Sequence, residues 1–231
     1  MADGGVNRLL CPAARNSCQP CRLRLRGAVR AECQRLGEPC NVRDHMTILG
    51  SAGSLRTDSY NRAALRAAQA LAPAGVTLES FDFQGIPPFN QDDEPPPPGP
   101  VATRKTRMRA ADAILVVRPE YNYSIPGVLK HAIDWASRPY GGNAWDGKPV
   151  AVMGASVGTL GTARAPDHLR HVFVVLHMHA LNRPEVMISN AAQRFNAQGR
   201  LTDTMTQDLI RQLLRNLVDW TRQLREPVVK T

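Results

Sequence analysis

Gly50-Ser51-Ala52-Gly53-Ser54-Leu55-Arg56-Thr57-Asp58-Ser59-Tyr60-Asn61 gathers residue types that hold an anion. The apolar run Thr47-Ile48-Leu49 precedes it, and an alanine- and leucine-rich segment follows. Strand, small-residue loop and helix start in that order leave N–H groups and the positive end of a helix dipole aimed at one point. Ser54, Ser59 and Asn61 add neutral hydrogen bonds, and Arg56 adds a permanent charge. A hydrogen bond to a charged group contributes roughly 1.5–3 kcal/mol, so three or four around one phosphate would hold it firmly. The loop has neither the Gly-Lys-Ser/Thr ending of a Walker A sequence nor Gly-x-Gly-x-x-Gly, so one terminal phosphomonoester is the expected group. A serine-capped helix without a ligand would share this local composition.

The second stretch is Pro119-Glu120-Tyr121-Asn122-Tyr123-Ser124-Ile125-Pro126-Gly127, which follows the apolar run Ala113 to Val117. In an open α/β sheet, ligands bind outside the carboxyl ends of the strands. A strand-end loop with an aromatic ring and polar groups suits a flat heterocycle, and its prolines limit the entropy lost on binding. Tyr121 offers the aromatic surface and Asn122 a hydrogen bond to the ring's polar edge.

Together, Gly-Ser-Leu-Arg-x-x-Ser-x-Asn at 53–61 and Pro-Glu-Tyr-Asn-Tyr-Ser-Ile-Pro-Gly at 119–127 resemble the NADPH-dependent FMN reductase family, which includes flavodoxin-like quinone, azo-dye and chromate reductases. The likeness runs from about Met46 to about Leu224 and takes in Lys148 to Ser156 with Gly158 and Gly161. It implies that Ser54, Arg56, Ser59 and Asn61 hold the FMN phosphate. It also implies that Pro119, Glu120, Tyr121 and Asn122 line the isoalloxazine ring, and that Ser156 and Gly158 approach its other edge. NADPH or NADH would be the electron donor. The chain departs from the family's usual pattern at Arg118, where a small or hydroxyl residue is common, at Thr159-Leu160-Gly161-Thr162, and at Pro166. The charge of Arg118 is expected to draw in the phosphates of the donor.

The elements that must position these loops alternate from Met46 onward. Strands are expected at about 46–50, Val76–Phe81, 113–117, Val150–Met153 and Glu185–Ile188. Helices are expected at about Ser59–Leu71, Val101–Ala110, Ile125–Ser137, Ala165–His177 and Thr204–Leu224. This βα alternation predicts a flavodoxin-like, doubly wound, five-stranded parallel sheet with helices on both faces. Val128, Ala132 and Trp135 share one helical face, and Leu209, Leu213, Leu217 and Trp220 recur at helical spacing and are expected to be core contacts. The stretch 84–100 carries four consecutive prolines, Pro95 to Pro98, and reads as a stiff surface loop.

The chain has 231 residues, 43% of them hydrophobic, and a formal charge of +9. That length suits one domain with extra segments. No apolar run approaches the ~18 residues of a membrane span. The basic residues are scattered without a nucleic-acid-binding pattern, so the charge is read as attracting anionic ligands.

Residues 1–45 differ from the rest: they hold all five cysteines, eight arginines and no lysine. They are expected to be a disordered extension, or translated sequence upstream of a true start at Met46. Cys18-x-x-Cys21 with Cys33 and Cys40 also permits a zinc reading. Residues 46–226 form the expected reductase domain and 227–231 a tail. With no cysteine in that domain and no signal peptide, a cytoplasmic location is expected. His168, His171, His177 and His179 lie near Val172 to Leu176, which is apolar all round. A subunit interface is preferred there to a metal site, in line with the dimers or tetramers of the family.

The flavin supplies the hard chemistry, so no acid–base residue is assigned. The expected acceptor is a quinone, free flavin, azo compound or oxidised metal ion. The alternatives are a flavin-binding electron carrier without NAD(P)H activity and an FMN-free regulatory or scaffold protein.

Overall fold

The computed structural model describes residues 45–225. The extension, apart from His45, and the tail lie outside the described residues, and so does the zinc reading of the cysteines. From Met46, strands and helices alternate: β1 (Met46–Ala52), α1 (Tyr60–Ala70), β2 (Val76–Phe81), α2 (Gly99–Ala110), β3 (Ala113–Val117), α3 (Gly127–Ser137), β4 (Pro149–Ala155) and α4 (Ala165–Val175). The short strands β5 (His179–Ala180) and β6 (Val186–Ile188), the single turn α5 (Ala191–Arg194) and the long α6 (Thr204–Arg225) complete the domain.

All pairings are parallel, and the order is β2-β1-β3-β4, with β5 and β6 both on the outer edge of β4. This is the flavodoxin-like arrangement, whose strand order reverses between β1 and β3. The expected fifth strand is divided. His179–Ala180 pairs with Pro149 and Val150, and Val186–Ile188 pairs with Met153 to Ala155. Pro184 lies in the gap and has no N–H for a ladder, which accounts for an interruption there.

Alternation along the buried strands divides the core. Ile48, Leu115 and Val117 face the α1 and α6 layer with Ala64, Leu213 and Leu217. Leu49, Ile114 and Val116 face the α2, α3 and α4 layer with Met108, Leu129, Trp135 and Phe173. Such two-sided burial explains why β3 reads as a continuous apolar run. In α6 the buried stripe is Thr206, Ile210, Leu213, Leu214, Leu217, Val218 and Thr221. Leu209 falls off that stripe and is 37% exposed, a correction to its expected place in the core. Trp220 is half-buried, and its Nε1 donates to the His179 carbonyl at 3.2 Å.

The proline-rich segment is more structured than a plain loop. Phe83 and Ile86 are buried, and Trp135 Nε1 donates to the Pro87 carbonyl at 3.0 Å. Phe89 packs edge-on against Trp135, and Glu94 pairs with Arg138. α2 begins at Gly99, earlier than expected, because Pro100 fits the first helical turn. Apolar burial on α4 is one-sided: Leu169 and Phe173 are in the core, whereas Val174 and Val175 are about four-fifths exposed, at 80% and 79%.

Candidate active site

The loop after β1 is built as an anion cradle. Gly53 N–H donates to the Val117 carbonyl at 2.7 Å, which fixes the loop's start against β3. A Cβ at Gly53 would lie 3.1 Å from Arg118 Cβ, so any larger residue would have to push that neighbour aside by a few tenths of an ångström. Ser59 caps α1, its Oγ accepting from Asn61 N–H at 3.2 Å. Ser54 Oγ accepts from Arg56 N–H at 3.4 Å, and the Ser54 carbonyl accepts from Arg62 Nε at 3.1 Å. The N–H groups of Ser54, Leu55, Thr57 and Asp58 meet no acceptor among the described residues. The first turn of α1 contains no acidic residue, so its positive end is left for an outside anion. Arg56 is exposed and bends back to the Asp58 carbonyl. Serine hydroxyls, free amides and an exposed cation form a donor set suited to a phosphomonoester.

Asn61 sits at this loop by another route. Its side-chain amide is committed to the main chain of Ala155, donating to the carbonyl and accepting from the N–H, each at 2.9 Å. Only its main chain and the cap it receives from Ser59 face the cradle.

The loop after β3 turns tightly. Tyr121 and Ser124 exchange main-chain bonds of 3.1 and 2.9 Å, with Asn122 at φ 50° and Tyr123 at φ 62° between them. Two successive left-handed residues match a two-residue hairpin turn, which usually takes Asn-Gly. A tyrosine there is strained, and such strain clusters at functional sites. Tyr121 and Tyr123 are 52% and 63% exposed, with Arg164 stacked 3.6 Å from the Tyr123 ring centroid. Pro119 is buried behind them. The N–H groups of Glu120 and Asn122 meet no acceptor among the described residues.

Glu120 does structural work in this loop. Its Oε2 accepts from the N–H groups of Arg164 and Ala165 at 2.8 and 2.9 Å, which caps α4. A sequence signal exists for this: Arg164 stands at the cap position and cannot accept a bond, so an acceptor must come from elsewhere. Ser124 Oγ lies 2.8 Å from His168 Nδ1, which anchors the turn's other end to α4.

The loop after β4 closes the third side. Ser156 N–H donates to the Ile188 carbonyl at 2.9 Å, and its Oγ accepts from Gly158 N–H at 3.1 Å. The Gly158 carbonyl accepts from Asn190 N–H at 3.1 Å.

Arg118 corrects the sequence expectation. It is wholly buried, so it cannot meet the phosphates of a donor. Both terminal nitrogens donate to the Thr162 carbonyl at 3.2 Å, and Nε has no partner among the described residues. Burial pushes its pKa down to about 10, offset in part by the nearby Glu120 and Asp167 carboxylates.

A loop with unpaired N–H groups, a loop with exposed tyrosines and a glycine-bearing third loop thus follow the carboxyl ends of β1, β3 and β4, where flavodoxin-like sheets bind their ligands. Residues 46–193 match the family model for NADPH-dependent FMN reductase. The chain is 51% identical over 183 residues to an NAD(P)H-dependent FMN reductase of Pseudomonas aeruginosa, covering 79% of this chain and 98% of that one. A 2-hydroxy-1,4-benzoquinone reductase of a Burkholderia species is 40% identical over 173 residues, covering 75% and 94%. Among solved structures, the flavoenzyme NAD(P)H:(acceptor) oxidoreductase FerB of Paracoccus denitrificans superposes with a TM-score of 0.72 at 36% identity, covering 77% of this chain and 98% of that one.

The chain belongs to the NADPH-dependent FMN reductase family. It is an FMN-dependent NAD(P)H oxidoreductase with a flavodoxin-like fold.

Proposed function

We propose that the chain reduces small quinones or free flavins at a single crevice, with residues 53–61 holding the phosphate of FMN and residues 119–124 facing its ring. The observation that carries this is the pair of loops at the reversal of strand order, one with unpaired N–H groups and the other with exposed, strained tyrosines. FMN, when bound, supplies hydride acceptance and donation. Ser54, Ser59 and the free amides would bind its phosphate, and Arg56 would neutralise the charge. The N–H groups of Glu120 and Asn122 would serve the ring's polar edge, and Ser156 and Gly158 its other edge. The quinone preference draws on the Burkholderia relative.

The test is Arg56→Ala. It is expected to weaken FMN binding by roughly 1.5–3 kcal/mol, the scale of one charge-assisted hydrogen bond. Riboflavin, which lacks the phosphate, should lose far less. Equal losses for both in a titration would remove Arg56 from the phosphate.

The protein is further proposed to be a homodimer or homotetramer, joined through α4. Val174 and Val175 stand out from that helix, with Val157 and Leu160 also largely exposed. Val175→Asp should shift the sedimentation coefficient to a smaller species. The cytoplasmic assignment rests on the absence of cysteine from residues 46–226. Among the described residues, no helix is long and apolar enough to cross a membrane. Cell fractionation tests the location.

A further inference from the structure

We infer that Arg118 tunes the flavin: its buried positive charge makes the crevice favour reduced FMN over oxidised FMN. This rests on the FMN site described above. The argument begins with position. Arg118 extends β3 at the reversal of strand order, its N–H donating to the Met153 carbonyl at 3.0 Å. Its main chain is wedged between Gly53 and Gly154. A Cβ at Gly154 would run into the Arg118 carbonyl and would stand 2.5 Å from Thr162 Oγ1. The side chain therefore starts at the floor of the crevice and cannot slide away.

The charge is poorly neutralised where it lies. Among the described residues the guanidinium meets one neutral acceptor, the Thr162 carbonyl, and its buried Nε has no partner. Among the described residues, no carboxylate forms an ion pair with it. Glu120 and Asp167 are close enough to act through their fields, but neither touches the guanidinium, and Glu120 Oε2 is taken by the amides that open α4. An incompletely compensated buried cation is costly to a fold, and its field reaches further than it would in water. Such a cost is offset when negative charge arrives nearby.

Reduction delivers that charge. FMN takes two electrons and one proton to become an anion on the ring, so the ring gains one negative charge relative to its oxidised form. The phosphate is the same in both forms. A cation that starts one residue before the ring-facing loop and is held at the Thr162 carbonyl therefore favours the reduced form selectively. Arg118 is completely buried and touches neither partner, so it is a positioning and tuning residue, not a catalytic one.

The experiment measures dissociation constants of oxidised and reduced FMN, and the two-electron midpoint potential of the bound flavin, for the full-length protein and three variants. Arg118→Met keeps the length and removes the charge, and Arg118→Gln keeps hydrogen bonding without charge. Both should lose at least tenfold in preference for the reduced form, which is a fall of about 30 mV for a two-electron couple. Oxidised FMN should bind within a few fold of the parent. Glu120→Gln keeps an acceptor for the α4 amides but removes a negative charge, so it should move the potential the opposite way. That variant keeps the idea open to refutation if both Arg118 variants fail to fold. Equal loss of oxidised and reduced FMN would show a merely structural arginine. A fall in potential for Glu120→Gln would overturn the electrostatic account. If oxidised FMN fails to bind the parent protein at all, it is the FMN site that fails, not the tuning.

Discussion

Asn61 and Ala155 are joined by two hydrogen bonds of 2.9 Å across 94 positions of sequence, and this pair ties the phosphate loop to the end of β4. The amide is buried, so each group it satisfies would otherwise be orphaned. Leaving one buried partner unpaired costs about 1–3 kcal/mol. Asn61→Ala leaves two, so a loss of roughly 2–6 kcal/mol is expected in urea denaturation. Asn61→Asp can still accept from Ala155 N–H but opposes its carbonyl, and should also destabilise. FMN affinity should fall in both, because the loops lose their fixed separation. Unchanged stability in Asn61→Ala would show the pair to be incidental.

The sheet and its loops were legible in the sequence because they rest on local signals. The apolar run at 113–117 had to be buried on both faces, and Ser59 before an alanine-rich segment had to cap a helix. The side-chain partners were not legible. Asn61 and Glu120 read as ligand contacts, yet both spend their side-chain acceptors on main-chain N–H groups far along the chain. Residue type announces hydrogen-bonding capacity but not which distant backbone group will claim it. Arg118 read as a surface cation for the same reason: nothing local signals that Gly53 and Gly154 enclose it. The divided edge strand escaped because His179–Ala180 is too short to show alternation.

Asp203 gives the fold a pH dependence. Its Oδ2 accepts from Thr206 N–H at 2.8 Å and from Thr206 Oγ1, and it pairs with Arg194 at 2.8 Å. Those bonds from Thr206, with the Arg194 charge, hold its carboxyl below the ordinary value of 3.8. A depressed folded-state pKa contributes stability that is present above the unfolded value and lost as pH falls through the folded one. Asp203→Ala should therefore cost about 1 kcal/mol at neutral pH, as loss of a helix cap does. The gap between parent and variant should close in acid. A gap that persists in denaturation curves below the carboxylate range would contradict the charge's role.

Residues 46–231 alone should carry the fold and the activity. The family match begins at residue 46, and the Pseudomonas aeruginosa relative is covered over 98% of its length by 79% of this chain. The shortened protein is expected to keep its FMN content, melting temperature and turnover. Loss of flavin or a clear drop in melting temperature would make residues 1–45 part of the folding unit. Stoichiometric zinc in the full-length protein would restore a metal-binding role for its cysteines.

Turnover should be ping-pong. The crevice is bounded by the loops after β1, β3 and β4, and the loop after β3 carries the two exposed tyrosines. A ring seated against residues 119–122 has one face left for a flat partner. Nicotinamide and quinone are both flat, so they must take turns at that face, and each should inhibit competitively against the other at high concentration. Initial-rate plots at several quinone concentrations are then expected to be parallel. Tyr121→Ala removes part of the aromatic wall and should weaken both partners by a similar amount, roughly 0.5–1.5 kcal/mol, the scale of one aromatic contact. Intersecting plots would require donor and acceptor to bind together and would rule out the shared face. A KM rise confined to one substrate in Tyr121→Ala would place the other away from this loop. Arg118, which is buried, should leave the KM for NADPH nearly unchanged when replaced, which separates its role from that of the exposed tyrosine.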